Sequence, residues 1–289
     1  GLEAAILVAN KIALGQIDSG IAGGVDTTSD APIGVNEGLR KILLEANRGK
    51  SNLDKLKSLL KIRPRHVVPA IPRNGEPRTG LSMGESCELM AQTWQIPRDE
   101  QDRLAFESHH KLAAAYEEGW QNDLMTPFRG LTRDQNLRPD IDLEKIGTLK
   151  PVFERGSRGT LTAANSTPLT DGASVVLLAS EEWAKARGLP ILAYFKDGEA
   201  AAVNFVDRQE GLLMAPVYAV PRLLARNGLS LQDFDYYEIH EAFAAQVLCT
   251  LKAWEDPEYC KTRLGLDQPL GSIDRSKLNV KGSSLAAGH

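Results

Sequence analysis

The stretch YYEIHEAFAA, residues 236–245, joins a pattern typical of a β-strand to one typical of an α-helix. Aromatic and β-branched residues precede His240, and an alanine-rich helical pattern begins at Glu241. In open α/β sheets, ligands bind in the crevice outside the carboxyl ends of the strands. A histidine at such a position can donate, accept or carry a proton near neutral pH. His240 is therefore either a functional residue or an ordinary helix cap, and this stretch alone leaves both interpretations open.

The sequence on either side of this stretch alternates between helical and strand patterns. Residues 1–14 are apolar almost all round the helix, which predicts a deeply buried helix. The apolar run 20–25 predicts a buried strand, so that the two together form half of a βαβ unit. The alternation recurs along the chain, and it predicts two similar α/β halves. Strands are predicted at 174–179, 191–195 and 235–239, and helices at 181–187, 216–227 and 241–254.

Length and composition limit the possible classes of protein. The chain has 289 residues, a net charge of -4 and no apolar run near the roughly 20 residues that span a bilayer. This charge gives no global argument for nucleic-acid binding. Three cysteines without a CxxC pair argue against a disulfide framework and a zinc site, and they favour a reducing compartment. Because the chain opens on Gly1 within a helical pattern and stops after a glycine-bearing loop, we interpret it as a piece of a longer protein.

A basic segment lies between residues 40 and 78, where eleven Lys or Arg residues stand against three acidic ones. Leucine spacing predicts two short amphipathic helices here, and four prolines follow in a loop-rich passage. A solvated basic face is the simplest interpretation. The alternatives are docking of an anionic ligand such as a nucleotide phosphate, and docking on an acidic membrane surface.

Two further sequence features point away from metal chemistry. Residues 83–120 are helical in pattern, and we interpret His109 and His110 within them as ordinary helix residues. His240 does not belong to a zinc-protease motif, because Ala244 occupies the position of the second histidine of that motif. These features predict no metal site. The net charge, as stated above, predicts no nucleic-acid partner.

Several motifs occur in an order that resembles the thiolase family and covers nearly the whole chain. They are residues 1–4 (GLEA), 22–25 (AGGV), 82–85 (SMGE), 96–102 (IPRDEQD), 162–166 (TAANS), 171–173 (DGA), 240–244 (HEAFA), 279–282 (NVKG) and 287–289 (AGH). The resemblance implies an α/β thiolase fold, in which two similar halves form a layered αβαβα arrangement with an inserted helical loop domain. It divides the chain into an N-terminal half at 1–35 and 160–188, an insertion at 36–159 and a C-terminal half at 189–289.

The resemblance implies a reaction, which is cleavage of 3-ketoacyl-CoA by CoA to acetyl-CoA and a shortened acyl-CoA, as in fatty acid β-oxidation. A cysteine thiolate attacks the ketone carbon, and donors stabilise the negative charge on the thioester oxygen. Carried over by motif, His289 would activate the nucleophile and help to form this oxyanion hole. His240 would replace an asparagine that positions a water there. Thr167 and Met83 would lie by the pantetheine or acyl chain, and Phe243 would line the pocket.

The chain departs from the family pattern in its cysteines. The nucleophilic cysteine would fall just before Gly1 and the acid/base cysteine beyond His289, so both are expected outside this chain. Cys87, Cys249 and Cys260 are interpreted as structural. Two alternatives therefore stay open. One is a thiolase-like lyase that performs a retro-aldol reaction on CoA-linked substrates, and the other is a non-catalytic subunit that binds acyl-CoA or serves assembly.

The resemblance also implies partners and a location. CoA and 3-ketoacyl-CoA would be substrates, with no further cofactor. The HEAFA motif and the basic insertion look like the long-chain branch, whose members form dimers or tetramers and join a hydratase–dehydrogenase subunit. Ser82 stands where short-chain members often carry histidine, which favours longer acyl chains. Residues 40–78 would contact a membrane, CoA phosphates or a partner subunit. A bacterial cytoplasm is the expected location, with the mitochondrion as the alternative.

Overall fold

The computed structural model describes residues 1–70, 72 and 74–289. They form two compact units: residues 27–75 are the basic unit, and residues 1–26 with 76–289 are the main unit. In the described part of the chain, no helix is both long enough and apolar enough to cross a bilayer.

The described residues form more helices than strands, and these elements follow the alternation that the sequence predicts only in part. In chain order they are α1 (Leu2–Ala13), β1 (Ser19–Asp26), α2 (Glu37–Arg48), α3 (Asn52–Leu59), α4 (Pro64–Val67), α5 (Met83–Thr93), α6 (Arg98–Glu117), α7 (Leu143–Gly147), β2 (Gly172–Ala179), α8 (Glu181–Ala186), α9 (Ala215–Asn227), α10 (Ala244–Glu255), α11 (Pro257–Leu264) and α12 (Ser284–Ala287), with short 3-10 turns at Leu231–Asp233 and Arg275–Lys277.

The strands β1 and β2 pair along their full length, from Ser19 opposite Ala179 to Asp26 opposite Gly172. Their pairing is antiparallel, whereas a βαβ unit pairs its strands in parallel. The helix α1 packs against both strands. The positions of α1, β1 and β2 agree with the positions that the sequence predicts.

The prediction that α1, β1 and β2 are deeply buried is wrong for this structure. Leu2 on α1 is 86% exposed, Ile21 on β1 is 72% exposed and Val175 on β2 is 70% exposed. These side chains stay exposed because no other element among the described residues covers them. An apolar pattern selects helix or strand, but burial also requires a covering layer.

The main core forms around α10, whose residues from Ala244 to Leu251 are all buried. Met90 of α5 and Val217 of α9 lie in the same hydrophobic cluster as Val247 of α10. Small residues along α10 allow this close packing on several sides. Because α10 begins four residues after His240, this core fixes the C-terminal end of the segment that carries the histidine.

Two predicted strands do not form among the described residues. Residues 191–195 belong to no strand, and Leu192 is 91% exposed. Residues 235–239 make a single parallel bridge, between Tyr237 and Leu278. A strand needs a partner along its length, and neither segment has one here.

The helix that follows His240 begins at Ala244 and not at Glu241, as the sequence pattern predicts. The reason lies in the neighbouring segment: Thr167 N–H donates to Ala242 O, and Ala244 N–H donates to Asn165 O, each at 3.0 Å. These bonds hold the residues between them extended, so the helix starts after them.

The basic unit contains the two short helices that leucine spacing predicts, α2 and α3, which pack on each other. Asn36 caps α2 by accepting a hydrogen bond from Gly38 N–H, and Ser51 with Asp54 forms a capping box on α3. The helices α5, α6 and α7 belong to the main unit. The division of the chain at 1–35, 36–159, 160–188 and 189–289 stays a prediction.

Candidate active site

His240 and His289 lie side by side in the main unit. His240 Nε2 and His289 Nδ1 are 3.3 Å apart, and the rings meet edge to face with centroids 4.6 Å apart. A hydrogen bond between two imidazoles needs one nitrogen that donates and one that accepts, so at least one ring is neutral. Withdrawal from water, and then the charge of His289, lower the pKa of His240. The pair can therefore offer both an N–H donor and a proton acceptor near neutral pH.

Thr167 links the segments that carry the two histidines. Its N–H donates to Ala242 O at 3.0 Å, and its Oγ1 donates to Ser284 O at 2.7 Å. The next residue, Pro168, accepts from His289 N–H at 3.0 Å. Thr167 is therefore hydrogen-bonded to both segments that carry the histidines, and a hydroxyl that donates one bond can also accept one.

Phe243 belongs to the main hydrophobic core, and Met83 packs against the same core. Phe243 contacts Phe153 edge to face, with ring centroids 5.8 Å apart. Phe153 also covers Gly84, where a Cβ would overlap its ring, so only glycine fits. Met83, the first residue of α5, packs against the core that contains Phe243. The substrate roles of Phe243, Met83 and Thr167, like the catalytic roles of the two histidines, remain predictions.

A cavity of about 440 Å³ adjoins the segment that holds Thr167. Ser166 and Pro168, on either side of Thr167, form part of its wall, and Leu285 of α12 forms another part. The cavity therefore reaches the same backbone that positions His289. The other residues that line it are His109, Asn136, Arg138, Ile141, Ile146, Leu149, Ala163 and Ala164.

Two polar groups in this cavity are open to a ligand. Ser166 Oγ is buried and has no hydrogen-bond partner within the described chain. A buried hydroxyl without a partner costs free energy, which a bound ligand recovers. Arg138 lies at the exposed edge of the cavity, where its guanidinium can meet an anion.

The sequence predicts that His109 is an ordinary helix residue, whereas the structure places it in the wall of the cavity. Its Nδ1 accepts a hydrogen bond from Arg138 N–H at 3.1 Å, which fixes the chain at the cavity edge. Burial, and then the charges of Arg138 and His110, lower the pKa of His109 to about 4. The sequence carries one weak signal of this role, since His109 shares the buried side of α6 with Ser108 and Leu112.

None of the three cysteines has the surroundings of an activated nucleophile. All three are free and buried. Burial raises the pKa of Cys87 well above its ordinary value and that of Cys249 to about 12. Cys260 directs its Sγ at the carbonyl oxygens of Ala253 and Trp254. A reactive cysteine needs an accessible, electropositive site, so these residues are structural in this chain. Among the described residues, no cluster of three or more His, Cys, Asp or Glu side chains can hold a metal ion.

Two family models match the chain in succession. Thiolase, N-terminal domain, matches residues 1–182, and Thiolase, C-terminal domain, matches residues 189–289. The 3-ketoacyl-CoA thiolases of Yersinia pestis (strain Pestoides F) and Yersinia pseudotuberculosis (serotype O:1b, strain IP 31758) are each 43% identical over 293 residues, which cover 99% of the chain. The chain spans 66% of the length of these relatives.

Solved structures agree with these matches. The Acat5 thiolase from Ascaris suum in complex with coenzyme A has a TM-score of 0.75 at 27% identity, and human mitochondrial 3-ketoacyl-CoA thiolase in complex with CoA has 0.75 at 26%. Both comparisons cover 100% of this chain, and 65% and 64% of those chains. The α/β architecture is that of a thiolase fold. The chain belongs to the thiolase family, which confirms the resemblance seen in its motifs.

Proposed function

We propose that the protein containing this chain is an acyltransferase that cleaves 3-ketoacyl-CoA with CoA in fatty acid β-oxidation. The observation that carries the proposal is the contact between the His240 and His289 rings, whose Nε2 and Nδ1 atoms are 3.3 Å apart. Two imidazoles in this arrangement can donate to a developing oxyanion and move a proton, which are the two tasks of thioester cleavage. The Yersinia relatives bear the name of this activity at 43% identity.

In the proposed reaction, His289 takes the proton of a cysteine thiol and the thiolate attacks the ketone carbon. The bond between that carbon and the acetyl-CoA fragment breaks, and the fragment leaves with a proton as acetyl-CoA. The thiol of CoA then takes the acyl group and frees the cysteine. His240 donates, directly or through a water, to the oxygen that gains negative charge. Because Cys87, Cys249 and Cys260 do not fit the role, the thiolate comes from outside these 289 residues.

The proposed site for CoA is the cavity of about 440 Å³. Its apolar wall suits the pantetheine arm, and Ser166 Oγ can bond to an amide of that arm. Arg138 at the exposed edge suits the anionic phosphates. Pro168 lines the cavity and accepts from His289 N–H, so a thiol bound beside Pro168 would lie near the His289 segment. Relatives with this fold have been solved with CoA bound.

The activity is tested with the intact protein, acetoacetyl-CoA or a longer 3-ketoacyl-CoA, and free CoA. We expect the ketoacyl absorbance to fall in a CoA-dependent manner, and iodoacetamide to stop the reaction. A boiled sample and a sample without CoA serve as controls. The proposal is contradicted if neither substrate is turned over and iodoacetamide has no effect.

A retro-aldol lyase on CoA-linked substrates is the second candidate, and the burial of all three cysteines favours it. Such a reaction needs an acid/base pair and an oxyanion donor, but no thiolate. A second assay with a 3-hydroxyacyl-CoA separates the two, because retro-aldol cleavage needs the 3-hydroxyl group as its proton donor. Lyase turnover of that substrate would continue without free CoA and after treatment with iodoacetamide.

For the basic unit we propose docking on an anionic membrane surface. Leu53, Leu56 and Leu60 recur at helical spacing and are 60%, 54% and 76% exposed, and Lys55, Lys57 and Lys61 lie between and beside them. Exposed leucines among lysines are typical of a helix that lies in a membrane interface. CoA phosphates and a hydratase–dehydrogenase subunit are the competing occupants.

We further propose that the protein is a homodimer or tetramer. Its proposed location is a reducing compartment, either the bacterial cytoplasm or the mitochondrion. A relative at 30% identity is described as the dimeric peroxisomal thiolase of Saccharomyces cerevisiae, with a TM-score of 0.71. The exposed apolar side chains on β1 and β2 provide surface for association. Light scattering of the intact protein measures the oligomeric state, and cell fractionation measures the location.

A further inference from the structure

Glu241, the residue after His240, is a buried carboxylate held from three directions. It is 1% exposed, and burial raises its pKa. Ser108 Oγ donates to its Oε2 and Asn279 Nδ2 donates to its Oε1, each at 2.7 Å. Leu285 N–H of α12 donates to Oε2 at 3.3 Å. A buried carboxylate is costly unless it accepts several hydrogen bonds, so its presence beside His240 calls for a role.

Asn279 holds the residues on both sides of His240 at once. Its Oδ1 accepts from Ile239 N–H at 2.8 Å, and its Nδ2 donates to Ile239 O at 2.9 Å as well as to Glu241. Asn279 is 2% exposed and has a φ of +46°, which residues other than glycine seldom adopt. This strained backbone directs the amide at the histidine segment, where the side chain adds hydrogen bonds to the backbone bridge between Tyr237 and Leu278.

The same carboxylate reaches the segment that ends at His289. Besides the bond from Leu285 N–H, Glu241 N–H donates to Ser284 Oγ at 2.7 Å. Both partners lie on α12, the short helix that precedes His289. Ser108 Oγ, which donates to the carboxylate, also accepts from Ser283 N–H at 3.0 Å. Glu241 therefore connects the His240 segment directly to the His289 segment.

We propose that Glu241, supported by Asn279, is the positioning residue that sets the distance and angle between the His240 and His289 rings. The inference rests on the proposed function for its effect on turnover, but the geometry itself can be measured separately. Neither Glu241 nor Asn279 touches the reacting atoms in this arrangement. They act through the backbone on either side of His240 and through α12.

The variant Glu241→Gln tests this role because it keeps the length of the side chain. The amide nitrogen replaces one carboxylate oxygen, and the Ser108 hydroxyl can rotate to accept from it. The Leu285 N–H then loses its acceptor, so the link to α12 is weakened selectively. The matched control is Glu88→Gln. Glu88 is also buried, at 2% exposure, and accepts from Thr160 N–H, Thr160 Oγ1 and Leu161 N–H, away from both histidines.

Both variants are prepared in the intact protein, and three quantities are compared with the parent. We expect similar falls in unfolding temperature for the two variants. Only Glu241→Gln should lower kcat, by up to about 100-fold, since a misplacement of about 1 Å costs that much, while KM for CoA stays close to the parent value. The imidazole NMR titrations of His240 and His289 should change in Glu241→Gln and stay as in the parent in Glu88→Gln.

An equal kcat for the two variants, or unchanged imidazole titrations in Glu241→Gln, overturns the positioning role. If the parent protein shows no thiolysis, the proposed function fails, and the NMR titration still decides the geometry. If Glu241→Gln does not fold, Ser108→Ala removes one donor to the carboxylate. It should change the histidine titrations in the same direction, and no change would again contradict the proposal.

Discussion

At the scale of single residues, the hydrogen bond between His240 and His289 limits what each ring can do. Only one of the two nitrogens at the contact can carry the proton that they share. Burial, and then the charge of His289, lower the pKa of His240, which favours the neutral form of its ring. A neutral imidazole is a suitable oxyanion donor, so the proposed function gives that role to His240 and proton transfer from the thiol to His289.

Replacing His240 tests whether a donor is needed at this position. In the intact protein, His240→Ala should lower kcat by about 100- to 1000-fold, the usual cost of one oxyanion donor. His240→Asn should keep much more activity, because an amide can also donate or hold a water. Steady-state kinetics with a 3-ketoacyl-CoA measure both variants. If Asn is as inactive as Ala, a role of His240 as donor is contradicted.

Arg138 offers a residue-scale test of the cavity as the CoA site. Arg138→Ala should raise KM for CoA by about 10-fold, or about 1.4 kcal/mol, with kcat nearly unchanged, since the phosphates lie far from the bond that breaks. Arg155→Ala is the control, because Arg155 is exposed but does not line the cavity. Equal KM values for the two variants would place the CoA phosphates elsewhere.

His109 gives the protein a component of stability that depends on pH. Its pKa is about 4 in the folded chain against 6.5 in the ordinary range, so the unfolded chain binds more protons between these values. Stability is therefore present above pH 6.5 and is lost as the pH falls towards about 4. The loss should be about 1 to 3 kcal/mol, with allowance for solvent around the ring.

The His109→Gln variant isolates this component, because glutamine can still accept from Arg138 N–H but does not titrate. Urea unfolding at neutral pH and near pH 5 measures the loss for the parent and the variant. The parent should lose more stability than the variant on acidification. Parallel losses would show that His109 is not the group that titrates.

At the scale of elements, the turn before α12 depends on Gly282. Its φ is +77°, and a Cβ would lie 2.6 Å from both Leu112 Cβ and Ser108 O. Gly265 has a φ of +69° with nothing within 4 Å of a Cβ, so it isolates the backbone strain alone. Gly265→Ala should cost about 1 kcal/mol, and Gly282→Ala about 1 to 3 kcal/mol more because of overpacking.

Gly282→Ala should also lower kcat, since the displaced turn carries α12 and His289 with it, whereas Gly265→Ala should not. Chemical denaturation gives the two free energies of unfolding, and kinetics of the intact protein give kcat. If the two variants lose equal stability, the close approach of Gly282 to α6 is not tight in solution.

The sequence predicts these elements unevenly, for physical reasons. Helices such as α9 follow from apolar spacing, and β1 and β2 follow from apolar runs, because these signals are local. The extended path of residues 241–243 does not, because it depends on hydrogen bonds to residues 165–167. The histidine pair follows only from ordered motifs. The buried contacts of Glu241 and Asn279 carry no periodic signal, since each depends on segments far away in sequence. His109 carries only the weak signal of its position on the buried side of α6.

At the scale of the whole molecule, charge is distributed unequally along the chain. Residues 40–78 hold eleven Lys or Arg residues against three acids, while the chain as a whole has a net charge of -4. The rest of the chain is therefore strongly acidic. An anionic membrane would attract the basic unit and repel the remainder, which favours one orientation at the surface.

Charge reversal at Lys55, Lys57 and Lys61 tests this orientation. The triple change to Glu should abolish binding of the intact protein to vesicles that contain anionic phospholipid, and it should leave kcat with acetoacetyl-CoA nearly unchanged. Lys61 pairs with Glu45 at 2.5 Å, and the triple change breaks this pair. The double variant Lys55→Glu with Lys57→Glu keeps the pair, so it checks that the loss of vesicle binding does not come from breaking it.

The apolar part of the docking surface needs its own variant, because attraction by charge and insertion of leucines are different effects. Leu53→Ser with Leu56→Ser keeps every charge, and it should weaken vesicle binding at high salt, where screening removes most of the electrostatic attraction. Sedimentation with vesicles of neutral and anionic composition measures both variants.

Unchanged vesicle binding with a raised KM for CoA in the charge-reversed protein would assign the basic unit to CoA. If vesicle binding and KM for CoA both stay unchanged but the charge-reversed protein no longer binds a hydratase–dehydrogenase subunit, the basic unit serves subunit assembly. Membrane docking holds only if both the charges and the leucines are needed, since an interfacial helix draws its binding energy from the two together.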